Sequence, residues 1–220
     1  ATAYRRNGRL YHDRYFRAEL THQNSRYWLE RALELFEKGY RIAERHNQTL
    51  ELFENLTEIA YLGDDRIAHA QKNNPSEVQS EIDKAAKNLK LLHELIDQHK
   101  KEDIQIYQFP VFQYLADLED GALELVQEKY ELALKHFLRG FVGLAKTQGY
   151  GHTRLKQHTP LLLKILRELD EDRQVQWCSA FIEAWEDPGK SGEPLSKSQP
   201  ELLRRVKLFQ RTRFMYRGQS

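Results

Sequence analysis

The sequence predicts an all-α protein of about nine or ten helices arranged as stacked antiparallel hairpins. Three observations carry that expectation. Apolar residues recur at three- and four-residue spacing along most of the 220-residue chain, and no stretch shows the alternation of a strand. Two ungapped segments repeat one pattern: Leu29 to Tyr40 and Tyr130 to Phe141 both read L/Y-E-x-A-L-x-x-F-x-x-G-F/Y, 101 residues apart. Between the apolar stripes stand Pro, Gly and hydroxyl or Asx residues at positions suited to helix ends. A hydrophobic fraction of 40% with 30% charged residues suits amphipathic helices with wide solvated faces.

The elements follow in order. Leu10 to Leu20 forms a short first helix, with Leu10, Tyr11, Tyr15, Phe16 and Leu20 near one face. Ser25 is the expected N-cap of a second helix, which runs through Trp28, Ala32, Phe36 and Ala43 to His46-Asn47. Thr49 caps the next, whose apolar line is Leu52, Leu56, Ile59, Ala60 and Tyr61. Gly63-Asp64-Asp65 reads as a turn, closing a hairpin that ends at Asn73-Asn74-Pro75. Ser76-Glu77-Val78-Gln79 is a capping box. The helix it starts reaches about Lys100, with a seam at Val78, Ile82, Ala85, Leu89, Leu92 and Ile96.

Pro110 either starts a helix in its first turn or kinks one begun near Ile104. After a corner at Glu128-Lys129, a helix runs from Tyr130 to about Thr147 and ends at Gly149-Tyr150-Gly151. Thr159-Pro160 marks the next start. Val175 to Trp185 forms a further helix, Asp187 to Pro194 is a linker by composition, and Glu201 to about Phe214 is a last basic helix. The expected organisation is a helical domain over 1–186, a linker over 187–199 and a basic helix and tail over 200–220.

The single cysteine, Cys178, excludes an intramolecular disulfide and fits a reducing compartment, so the expected localisation is cytoplasmic. No apolar run approaches the length of a membrane span, and Ala1 to Arg17 is too basic and aromatic for a secretory signal. The first residue is not Met, and a fragment of a longer protein is expected. Net charge is +1 but unevenly spread. Residues 1–18 carry Arg5, Arg6, Arg9, Arg14 and Arg17 against Asp13, a balance of +4. Residues 189–220 carry +6, which leaves the body at −9. Basic ends on an acidic body suit an acidic partner, another domain, or simple solvation.

The A-L-x-x-F-x-x-G core resembles the second helix of a tetratricopeptide (TPR) repeat, whose length of about 34 residues fits three times into the offset. In that family a small residue lets paired helices approach, an aromatic fills the groove between repeats, and a second small residue lets the next repeat stack. Ala32, Phe36 and Gly39 match those roles, as do Ala133, Phe137 and Gly140. Gly121 stands where the first helix carries its small residue, and Tyr130 matches the aromatic that opens the second. The match covers about 10–47 and 110–147, loosely 49–73, and neither 76–100 nor 152–185. It implies an α-solenoid with a concave groove for a protein or peptide. An unrelated helical bundle is the alternative. The degenerate repeats also resemble the C-terminal sensor arrays of bacterial signal-transduction ATPases of the STAND class.

Catalytic signatures are weak. Ala184 to Ser191 fits a permissive phosphate-loop pattern, but no strand precedes it, Pro188 removes a donor, and Glu186 and Asp187 lie inside it. His93-Glu94-Leu95-Ile96-Asp97 is one residue from H-E-x-x-H, with no third ligand in evidence. Cys178 reads as a buried apolar residue. No catalytic residue, metal or cofactor is assigned.

The expected function is therefore a non-enzymatic protein- or peptide-binding module, or the ligand-sensing part of a larger signalling protein. Its partner is a protein, a peptide or a neighbouring domain, and not a membrane. Helix position nominates Asn55, Glu58, Gln113, Asp117 and Glu124 as exposed partner-binding residues. A nucleic-acid reading would use Arg5, Arg6, Arg9, Arg204, Arg205, Arg211 and Arg213, interleaved with aromatic residues at both ends. An enzyme with a site across the hairpins is the third reading.

Overall fold

The computed structural model describes residues 1–21, 25–101, 109–148 and 153–168. These form α1 (Thr2–Thr21), α2 (Ser25–Arg45), α3 (Thr49–Asn73), a single 3-10 turn at Pro75–Glu77, α4 (Val78–Lys101), α5 (Phe109–Val126), α6 (Tyr130–Gln148) and α7 (Thr153–Glu168). Among the described residues there is no strand, as expected. No helix among them is long and apolar enough to cross a membrane. The expected boundaries at 186 and 199, and the helices after residue 168, lie outside the described residues. The chain divides into two compact units, residues 1–112 and 113–220, with the division inside α5.

In the first unit α1 packs on α2, α2 on α3 and α3 on α4. Close contacts reveal the register. Gly63 and Arg66 of α3 meet Ala85 and Glu81 of α4, so residue numbers fall on one helix as they rise on the other: the pair is antiparallel. The same holds for α1 and α2, where Gly8 meets Phe36 and Arg14 meets Trp28. Phe36 is fully buried. A Cβ on Gly8 would stand only 2.6 Å from Phe36 Cε1, so the ring needs glycine opposite it. Ala32 and Ala43 of α2 and Phe53, Leu62 and Ile67 of α3 likewise have essentially no exposed surface. Phe53 stacks on Phe112, ring centroids 4.9 Å apart, and meets His99 edge-on at 5.0 Å.

The second unit repeats the device. Phe137 of α6 is fully buried, and a Cβ on Gly121 of α5 would lie 3.0 Å from its Cγ. Gly140 of α6 faces Leu118 of α5, where a Cβ would come within 2.8 Å of the Leu118 side chain. α5 and α6 are therefore antiparallel, and α7 packs against α6. Ala32, Phe36, Gly39, Ala133, Phe137 and Gly140 are all buried at helix contacts.

Several expectations are corrected. α1 starts at Thr2 rather than Leu10, because its polar first half is held by side chains of α3. Gly63-Asp64-Asp65 is no turn: α3 runs unbroken from Thr49 to Asn73. Gly63 serves close approach, since a Cβ there would lie 2.9 Å from that of Ala85. The capping box does not form. The Ser76 hydroxyl donates instead to Asn74 Oδ1 at 2.9 Å, and α4 starts after the 3-10 turn. Thr49 is the first residue of α3, whose cap position is Gln48 with no side-chain cap bond. α7 begins at Thr153, ahead of Thr159-Pro160, and buries Leu155, His158 and Leu162 on one face. Pro110 is the second residue of α5, and Ile104 lies outside the described residues.

Two helix ends share one geometry. Asn47 after α2 and Glu128 after α5 have φ of 51° and 59°, in the left-handed region. The following N–H closes a wide loop in each case, Gln48 N to Ala43 O at 2.8 Å and Lys129 N to Glu124 O at 3.0 Å. Asn tolerates that conformation and Glu does not.

Two stability predictions follow, both read by urea midpoints. Gly8→Ala destabilises by about 1–3 kcal/mol through overpacking on Phe36, opposite in sign to helix propensity alone. Glu128→Gly stabilises by about 0.5–1 kcal/mol, because it relieves the left-handed strain at an exposed position.

Candidate functional site

Antiparallel packing brings the start of α2 beside the end of α3, and the short Asn74 connection adds the start of α4. The three ends enclose a cleft of about 410 Å³. Leu29 and Ala70, each 3% exposed, contribute apolar surface to it. Its polar lining carries both charges. Arg66 pairs with Glu81 at 2.6 Å, and Arg26 reaches Glu77 at 3.2 Å and Glu30 at 2.8 Å. Ser25, His69, Asn73 and Asn74 complete it.

Ser25 and His69 do not make a nucleophile and base. The Ser25 hydroxyl donates to the Glu19 carboxylate, and its distance to His69 Nδ1 is 3.4 Å. Asn73 Nδ2 lies 3.2 Å from the same His69 nitrogen and donates to the His69 carbonyl at 3.0 Å. Hydrogen bonds from Lys72, at 2.7 Å, and then from Ser25 hold the Glu19 carboxyl below the usual carboxylate range. Among the described residues the cleft brings no three metal-ligating atoms together. What it offers is donors, acceptors and fixed charges around a small apolar surface, the equipment of a binding site.

The nominated partner-binding residues are placed differently from expectation. Asn55, Glu58 and Asp117 are buried. Asn55 donates to the Glu51 carbonyl at 2.7 Å and packs against Gly39. Glu58 accepts from Arg9 Nε at 2.8 Å and also from Arg9 Nη2. Asp117 accepts from Arg139 Nη2 at 2.5 Å. Position along a helix could not show that neighbours cover these faces. Gln113 and Glu124 are half-exposed, and Glu124 pairs with Lys129 at 3.0 Å. The structure does not assemble the five into one surface within either unit. His93 is half-exposed and Asp97 exposed.

Two arginines of the basic N-terminus pair with α3. Arg5 pairs with Glu54 and approaches Glu51 at 4.0 Å, and Arg9 pairs with Glu58. Thr2 bonds Glu51, His12 Nε2 lies 2.6 Å from Asp65, and Glu19 receives Lys72. The sequence offset stays between 49 and 53, so α1 and α3 run parallel. Burial pulls the Arg5 guanidinium below its ordinary value, with Glu51 opposing the shift. Tyr15, also between these helices, is pushed up by burial, with Asp65 and Glu19 adding. Arg6 is exposed. Arg204, Arg205, Arg211 and Arg213, with Cys178 and the phosphate-loop-like segment, lie outside the described residues.

No protein-family model, curated protein or solved structure matches the chain. The residues that line the cleft were not singled out in the sequence as binding residues. Arg26, Arg66, His69 and Glu81 span 56 positions and meet only through the register of α2, α3 and α4. The one usable signal was Asn73-Asn74-Pro75, a break that brings two amide side chains to a helix end.

Glu19 yields a pH prediction. Its carboxylate is favoured in the folded state, so its stabilisation is full above the unfolded value of about 4.3. The contribution is lost as pH falls through the lower folded value. Glu19→Gln is therefore less stable than wild type at about pH 7, and the gap closes in acid below about pH 4. Urea midpoints across that range check it; a constant gap would show that Glu19 acts through packing alone.

Proposed function

We propose that the chain is a non-enzymatic protein- or peptide-binding helical module, with the cleft between α2, α3 and α4 as its anchoring site. The observation that carries this reading is the cleft's lining: arginines and carboxylates interspersed around Leu29 and Ala70, with His69, Asn73 and Asn74 as hydrogen-bonding groups. A polypeptide segment offers the complementary set, alternating carbonyls and N–H groups with side chains of either charge. The hydrogen bonding of Ser25 and His69 favours binding over nucleophilic catalysis.

The finer architecture belongs to the same proposal. Buried Ala-Phe-Gly sets in both units, each Phe facing a glycine of the preceding helix, support TPR-like stacking of hairpins continued into nine or ten helices. A role as the sensing part of a larger signalling protein is an extension of that reading. The nucleic-acid alternative is weakened, because Arg5 and Arg9 give their charge to Glu54 and Glu58.

Panning a random-peptide display library on the purified chain tests the proposal. Enriched peptides are expected to bind in calorimetry and to lose about tenfold or more in affinity to Arg26→Ala. Arg26 is half-exposed, so this substitution spares the fold. No enriched peptide, or peptides indifferent to Arg26→Ala and Asn73→Ala, would remove the cleft as the site.

A further inference from the structure

The helical pair α5 and α6 carries a second cluster, in the other unit. Asp117 and Asp120 stand three residues apart on α5, on one face. The antiparallel register sets His136 of α6 opposite them. His136 Nδ1 lies 3.5 Å from Asp117 Oδ1 and 3.7 Å from Asp120 Oδ2, and each of the three residues offers a ligand atom within 4.8 Å of the other two. We propose that Asp117, Asp120 and His136 form a binding site for a divalent transition-metal ion of the zinc class, with Arg139 as the competing cation.

Geometry supports the ligand set. Zinc takes nitrogen and carboxylate oxygen at about 2.0–2.1 Å, which places neighbouring tetrahedral ligands about 3.3 Å apart. Two of the three separations come within a few tenths of an ångström of that spacing. Contraction by so little is within reach of side-chain rotation, and water would complete the coordination. One imidazole with two carboxylates favours zinc, cobalt or nickel over magnesium or calcium, which prefer oxygen alone.

Electrostatics supplies the second argument, independent of spacing. Arg139 Nη2 stands 2.5 Å from Asp117 Oδ1 and 3.0 Å from His136 Nδ1. A guanidinium has no acceptor, so in the second contact the imidazole nitrogen must accept. His136 therefore turns the lone pair of Nδ1 toward two carboxylates, which is the form in which imidazole ligates a metal. A lone pair facing carboxylates demands a cation among them, and the guanidinium supplies one. The Asp117 side chain is 4% exposed and that of Arg139 is 51% exposed. The acid is the fixed member and the arginine the mobile one. Arg139 can swing into water, because half of its side chain already stands in it. A metal ion and Arg139 are thus alternatives for the same two atoms.

Sequence spacing does not reveal this ligand set, because its members lie on two helices. Here sixteen residues and a helix reversal separate Asp120 from His136.

The test is calorimetric titration of zinc chloride into the full chain, with His136→Ala, Asp120→Asn and Arg139→Gln in parallel. Wild type is expected to bind one ion tightly. His136→Ala and Asp120→Asn should each weaken that binding by about tenfold or more. Arg139→Gln should tighten it by roughly two- to fivefold, the worth of an exposed ion pair. Cobalt should give the visible absorption of a low-coordinate nitrogen–oxygen site in wild type, and His136→Ala should abolish it. Binding weaker than about 1 mM, a His136→Ala titration equal to wild type, or no tightening in Arg139→Gln would overturn the proposal. Helicity by circular dichroism keeps a null result from a misfolded variant out of the comparison, and Asp120→Asn, at a half-exposed position, then decides.

Discussion

A phenylalanine packed onto glycine is the contact on which both units depend. Phe36 on Gly8 and Phe137 on Gly121 are the same arrangement: a fully buried ring on the second helix and a bare backbone on the first. Burying a ring that size favours folding by a few kcal/mol, but only where no Cβ intrudes. Each contact therefore fixes where along its length one helix crosses the other. Gly63 against Ala85 fixes the next crossing in the same way. Once these crossings are set, the helix ends have no freedom. The start of α2, the end of α3 and the start of α4 must meet, and the cleft is their meeting point.

The charged contacts then select that register from its neighbours. Arg5, Arg9, His12 and Glu19 of α1 face Glu54, Glu58, Asp65 and Lys72 of α3. Sliding α1 forward by one turn would set Arg9 at Leu62 and His12 at His69. Sliding it back would set Arg5 at Leu50 and Glu19 at Ala68. Either slip strands at least two charged groups, which costs more than a correct pair contributes. Polar pairs of this kind add modest stability and strong specificity. They also explain why a helix of such low apolar content as α1 forms along its full length.

Much of this was legible in the sequence, and the failures share one cause. The Ala-Phe-Gly spacing identified buried helix-contact residues because it records a contact within one helix pair. The Glu128-Lys129 corner was legible because backbone chemistry is local. Gly63 was misread because Gly-Asp-Asp suits a turn and a close approach equally; Ala85, twenty-two residues on, decides between them. Asn55 and Glu58 were misread because periodicity shows that a helix has two faces and not how many neighbours cover them. With α2 and α4 packed on α3, and α1 bonded to it, little of that helix is left to solvent. Apart from Asn73 and Asn74, the lining of the cleft was invisible for the same reason.

The arginine contacts show why one cluster suits a metal and the others do not. Arg9 on Glu58, Arg66 on Glu81 and Arg139 on Asp117 each join two helices, with the acid more buried than the arginine. Burial alone makes each acid a place where positive charge is needed. At Glu58 the guanidinium meets that need with two nitrogens on one oxygen. At Glu81, Arg66 and Lys84 approach together, and Arg66 is itself mostly covered. Displacing either arrangement would lose two charge-assisted contacts and bring no new ligand. At Asp117 a single arginine nitrogen serves both a carboxylate and an imidazole, and Asp120 stands on the same side. An incoming dication would exchange that one mobile nitrogen for three inner ligands. The distinction lies in His136: it is the one imidazole in these three sets, and an imidazole nitrogen can ligate a metal where guanidinium and ammonium nitrogens only donate.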